Sequence, residues 1–154
     1  MRLAVALVLL LAAGCLTPGA PPAQETPVAT RTLEQGATSG VHEPVRNVLP
    51  DEAAWAAFWD RHASAQIPPP ERPAVDFAAE RVVVVGLGDK NDGCWGVEVS
   101  GVVRSGSEVV VNVTTLDRHG AGACTQAITQ PHHIVAIRDT SAAVRFEEAV
   151  RGRN

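Results

Sequence analysis

Arg81-Val82-Val83-Val84-Val85-Gly86-Leu87 decides the fold. Four consecutive β-branched residues lose side-chain freedom in a helix but pack well on a pleated surface. A run without polar alternation fits a strand covered on both faces. On its C-terminal side the period becomes two. Trp95-Gly96-Val97-Glu98-Val99-Ser100-Gly101-Val102-Val103 carries mostly apolar odd positions, as in a half-buried strand. Ser105-Gly106-Ser107 reads as a turn, and Glu108-Val109-Val110-Val111-Asn112-Val113-Thr114 as the returning partner of a hairpin. Ile134-Val135-Ala136-Ile137 is a fourth strand and Ala143-Val144-Arg145-Phe146 a fifth.

On its N-terminal side the pattern is helical. Asp51 reads as an N-cap, and Trp55, Phe58, Trp59 and His62 follow at i, i+3, i+4 and i+7, on one helical face. Alanines at 53, 54, 56 and 57 supply helix propensity. Ile67-Pro68-Pro69-Pro70 bounds the helix, since proline lacks an N–H and restrains its predecessor. The tryptophans read as core and His62 as a residue at the core boundary. One or two short strands are expected between Arg31 and Leu49. Together these elements predict an α+β domain over about residues 31–150: a mostly antiparallel β-sheet with one principal amphipathic helix packed on it. A polar tail occupies 151–154.

A chain of 154 residues holds one such core. Apolar residues make up 45% and charged residues 19%, ordinary for a folded domain. The formal charge of −4, with arginines scattered and Lys90 the only lysine, excludes the basic footprint that nucleic-acid binding needs.

The N-terminus reads as an address. Leu3 to Ala13 is uncharged, the length of a secretory h-region and short of the roughly 20 residues of a membrane span. It ends in Leu11-Ala12-Ala13-Gly14-Cys15, which resembles the lipobox of bacterial lipoproteins. The resemblance implies a signal peptide over 1–14 and an acylated Cys15 anchored in the bilayer. The usual branched residue three before the cysteine is here Ala12. A Pro/Ala/Thr-rich stretch over 15–30 reads as a tether. The expected location is the cell envelope, with the outer membrane favoured because Leu16, not aspartate, follows Cys15.

Motifs for catalysis are absent. Gly88-x-x-x-x-Gly93 is followed by Cys94-Trp95 instead of the Lys-Ser/Thr of a phosphate loop. Asp89, Asn91 and Asp92 have the wrong spacing for a calcium loop, with Ser100 where the bidentate glutamate belongs. No Gly-x-Ser-x-Gly elbow occurs. With Cys15 acylated, Cys94 and Cys124 remain. They form a disulfide in an oxidising space or stay as free thiols, or else Cys124 joins His119, His132 and His133 around zinc. Against zinc, adjacent His132 and His133 on a strand face opposite ways.

Pro73-Ala74-Val75-Asp76-Phe77 leads into the valine run and then into Gly88-Asp89-Lys90-Asn91-Asp92-Gly93-Cys94-Trp95-Gly96-Val97-Glu98-Val99. Cys124-Thr125-Gln126-Ala127-Ile128-Thr129-Gln130-Pro131 later runs into His133-Ile134-Val135-Ala136-Ile137. This order over 73–138 resembles the C-terminal domain of the PrcB family, named for an accessory subunit of a bacterial surface protease complex and found on exported lipoproteins. Where the family's turn reads Thr-Gly-Gly-Tyr, this chain has Asp92-Gly93-Cys94-Trp95, and His132 replaces an aromatic after the later proline. The resemblance implies a non-enzymatic subunit without cofactor or metal that binds a partner protein, a protease. The alternative is a small-ligand-binding lipoprotein with His119, His132 and Trp95 around one pocket.

Overall fold

The computed structural model describes residues 24–152. The signal peptide and Cys15 lie outside them, as does the tether up to residue 23. In chain order the elements are β1 (Glu25–Pro27), β2 (Thr30–Gly36), β3 (Pro44–Leu49), α1 (Glu52–Ala63), β4 (Arg81–Leu87), β5 (Trp95–Ser105), β6 (Glu108–Asp117), β7 (His132–Ile137) and β8 (Ala143–Arg151). The strands form two four-stranded sheets, ordered β1-β5-β6-β8 and β2-β7-β4-β3. All pairings are antiparallel except β6 with β8, which is parallel.

Two sheets instead of the one expected follow from how the valines divide. In β4, Val83, Val85 and Leu87 face the other sheet and join Val97, Val102, Val109, Val111, Val113, Val135 and Ile137 in the core between the sheets. Val82 and Val84 point the other way, into a second core under α1 with Trp55, Phe58, Trp59, Leu49 and Ile134. The unbroken valine run thus serves two cores at once, and all seven residues of β4 are buried.

The helix forms where its spacing predicts. The Asp51 side chain accepts from the Ala54 backbone N–H at 2.8 Å, satisfying one of the free donors of the first turn. Both helix tryptophans are buried with their indole N–H paired: Trp55 donates to the Pro73 carbonyl and Trp59 to that of Pro70. The proline segment after the helix therefore folds back as a lid over the indoles. With 12 residues the helix is short, and the protein is mostly β. Among the described residues no helix is long and apolar enough to cross a membrane.

Three details depart from the expected layout. The domain starts before residue 31: β1 pairs Glu25 to Pro27 with Ser105 to Val103, inside the stretch read as tether. The strand starting at Ala143 runs to Arg151, into the stretch read as tail, because β6 offers it a full parallel ladder. The alternation of β5 breaks between Val99 and Gly101, where the register shifts. Val102, an even position, is thereby turned into the core between the sheets.

The central strands of both sheets are β5, β6, β4 and β7, whereas β1, β8, β2 and β3 are edges. At one side of the sandwich β3 and β8 are tied together: Arg46 donates to Glu148 through Nε at 2.5 Å and Nη2 at 3.1 Å.

Candidate functional site

The loops around Gly88–Trp95 and Arg118–Gln130 are drawn together by a disulfide between Cys94 and Cys124, with Cα atoms 5.1 Å apart. Of the three readings open for these cysteines, the disulfide holds. The bond is backed by polar links. Gly93 N–H donates to the Thr125 carbonyl, Lys90 and Thr129 exchange backbone bonds, and Thr129 Oγ1 donates to the Asp92 carbonyl at 2.8 Å.

His119 lies in this loop cluster between two carboxylates. Its Nδ1 pairs with Asp117 Oδ1 at 2.5 Å and its Nε2 with Asp92 Oδ2 at 3.0 Å. The hydrogen bonds that the ring donates to Asp92 and Asp117 raise the imidazole pKa, and the bond from His119 lowers that of Asp92. Both ring nitrogens are occupied, so neither is free to take a proton from a nucleophile. The ring stands edge-on to Trp95 at 5.3 Å, and Lys90 Nζ sits 5.4 Å from the Trp95 ring centre. This geometry builds a rigid, charged loop end.

Beside it opens a cleft of 340 Å³, lined by Leu116, Arg118, His119, Ala121 and Arg151. Arg151, the last residue of β8, places the cleft at the end of that strand. β8 is exposed along most of its nine residues, including Val150 at 73%. A strand edge of this kind presents unpaired backbone groups to which another strand can add.

The structure separates the histidines that sequence proximity had grouped. His119 and Trp95 do share a neighbourhood, but His132 is not part of it. His133 faces the other sheet: its Nδ1 accepts from the Val99 N–H of β5, while its Nε2 pairs with Thr32 Oγ1 of the neighbouring β2, both at 2.9 Å. Burial pushes its pKa down. His132 points to the helix side, edge-on to His62 with ring centres 4.6 Å apart, and its Nε2 bonds to Glu34 Oε2. His62 is fully buried, not at the core boundary. Burial and then His132 push its pKa down to about 4, against the pull of Glu34.

The meeting of Glu34 with His62 and His132 was not legible in the sequence. Those residues come from β2, α1 and β7, without short-range spacing. The nearest signal is the glutamate inside a strand pattern. A register shift in β2 between Thr32 and Glu34 places Glu34 opposite Ile134, on the helix side.

Comparison with curated proteins and with solved structures gives no match. The matched segment therefore comes from family comparison alone, and it spans the central strands β4 to β7 with the disulfide loops between them. Residues 81–138 match the family model described as PrcB C-terminal, the family to which the valine run, the turn and the later proline segment point.

Proposed function

We propose that this protein is an envelope-anchored, non-enzymatic lipoprotein that binds and stabilises a partner protein, a protease, as an accessory subunit. The match of residues 81–138 to the PrcB C-terminal family carries this reading. The exposed edge of β8 supports it by supplying a docking strand, with specificity from the adjoining cleft. The anchor would be Cys15, acylated after removal of residues 1–14, since two or more acyl chains give stable attachment where one does not. The test is a mild-detergent pull-down of the C-terminally tagged full-length protein from its own envelope, followed by mass spectrometry. A near-stoichiometric protease is expected, lost in a Cys15→Ala strain. Elution of the protein alone across several detergents and salts would sink the accessory-subunit reading.

The cleft beside His119 favours a second reading, a small-ligand binder. A ligand of that cleft would give a saturable rise in Tm. A subunit that works through protein contacts would show none with small molecules.

A further inference from the structure

Three side chains from separate elements converge under the helix: Glu34 of β2, His62 of α1 and His132 of β7. Their ligand atoms all lie within 4.8 Å of one another. The partner of His132 fixes what its ring offers, and that of His62 is compatible with the same arrangement. His132 Nδ1 lies 2.7 Å from the Gln130 carbonyl oxygen, which can only accept, so that nitrogen carries the hydrogen. The lone pair of the neutral ring is then on Nε2, facing Glu34. His62 Nδ1 lies 2.9 Å from Ser39 Oγ, which accepts from the Val41 N–H and keeps a second lone pair for an Nδ1–H donor. His62 Nε2 has no hydrogen-bond partner among the described residues, although the side chain is only 1% exposed. Glu34 Oε2 lies 3.5 Å from it, too long for a good hydrogen bond.

A proton shared between His132 and Glu34 would satisfy that pair and leave the buried Nε2 of His62 without a partner, a costly arrangement. A divalent cation satisfies all three groups together. We propose that Glu34, His62 and His132 bind one divalent transition-metal ion through two imidazole Nε2 atoms and one carboxylate oxygen. Such borderline donors suit zinc. Each histidine already has the outer partner that metal-ligating imidazoles use, a carbonyl oxygen for His132 and a hydroxyl for His62.

The sheet is shaped around this cluster. In the ladder His132 stands between Gly36 of β2 and Gly86 of β4, so neither neighbour places a side chain beside its ring. A Cβ on Gly36 would come within 3.1 Å of Glu34 Oε1 and 3.4 Å of the His132 ring. The register shift in β2 turns Glu34 to this side, a use of strand irregularity common next to binding sites. The adjoining cavity, lined in part by His62 and His132, measures 10 Å³, room for about one water and none for a substrate. The site is therefore structural: it pins the edge strand β2 and the helix to the central strand β7.

The test uses the full-length chain in detergent, stripped with a chelator and titrated with zinc alone against a chromophoric competitor. Cobalt serves as a spectroscopic probe, because its visible bands report nitrogen and oxygen ligation. One equivalent of zinc is expected, with a rise in Tm. Glu34→Gln and His132→Gln should each weaken binding at least ~10-fold, as should Ser39→Ala, which removes only the outer partner of His62. His119→Gln should bind as the wild type does. Glu34 is partly exposed, so its variant keeps the fold, and circular dichroism checks this for all of them. Absence of a zinc equivalent would overturn the assignment. So would wild-type affinity or unchanged cobalt bands in folded Glu34→Gln, or loss of the site in His119→Gln.

Discussion

Arg81 of β4 and Asp139, just after β7, form a buried ion pair at 3.2 Å, with side chains 10% and 4% exposed. Asp139 also bonds to Arg104 on β5, so one carboxylate holds an arginine from each sheet. Desolvation, followed by the nearby Arg104 charge, lowers the pKa of Arg81. Removing the carboxylate strands the buried Arg81 charge, whereas Arg104, 42% exposed, still reaches water. Asp139→Ala should cost about 3–5 kcal/mol, measured by urea unfolding. A loss below about 1 kcal/mol would mean that water replaces the carboxylate.

The bridge between Arg46 and Glu148 is the exposed counterpart, with side chains 25% and 46% accessible. A double-mutant cycle should give a coupling of about 0.2–1 kcal/mol, shrinking in 1 M salt as screening shortens to about 3 Å. A larger, salt-insensitive coupling would show that the two sheet edges close more tightly than this exposure implies.

Trp55 is wholly buried and donates to the Pro73 carbonyl at 3.0 Å. Trp55→Ala should destabilise by about 3–5 kcal/mol. Trp55→Phe keeps an aromatic ring and gives up the hydrogen bond, so it should cost less than the alanine variant. Equal losses would assign the whole effect to the polar contact.

The Cys94–Cys124 bond closes a separation of 30 residues. Loop-closure entropy assigns such a cross-link about 3–4 kcal/mol. The Cys94→Ala/Cys124→Ala double variant should lose about that much. Unfolding of the oxidised and reduced wild type should reproduce the difference.

His119 sets a pH dependence. Its pKa is raised in the folded protein from an ordinary 6.5 by Asp92 and Asp117. The charged ring is thus favoured by folding. Its contribution is full below pH 6.5 and is lost as pH rises through the raised folded value. His119→Gln should remove this alkaline decline, with an NMR titration of the ring giving the folded pKa directly. A ring titrating at or below 6.5 would contradict the two-carboxylate geometry.

What could be read from the sequence divides by range. The Asp51 cap, the tryptophan stripe and the β4 strand depend on neighbours within a turn or a ladder step, and the residues announce them. The second sheet, the parallel β8 and the early β1 depend on partners many residues away. Nothing in Glu25–Pro27 or Ala143–Arg151 encodes which strand each will meet. The disulfide followed from counting cysteines. The Glu34, His62 and His132 cluster did not, since a register shift in β2 decides which way Glu34 points.

The sheet orders also bear on how the chain folds. Apart from the β5–β6 hairpin, no strand pairs with its immediate successor except β3 with β4, and those two are separated by the helix. β2 waits for β7: Thr32 and His133, hydrogen-bonded in the finished domain, are 101 residues apart in the chain. Closing such long loops before their contacts are gained is slow, which places this domain among the millisecond-to-second folders. During synthesis β2 emerges early yet stays unpaired until β7 has been made, long after β3 can meet β4 and β1 can meet β5.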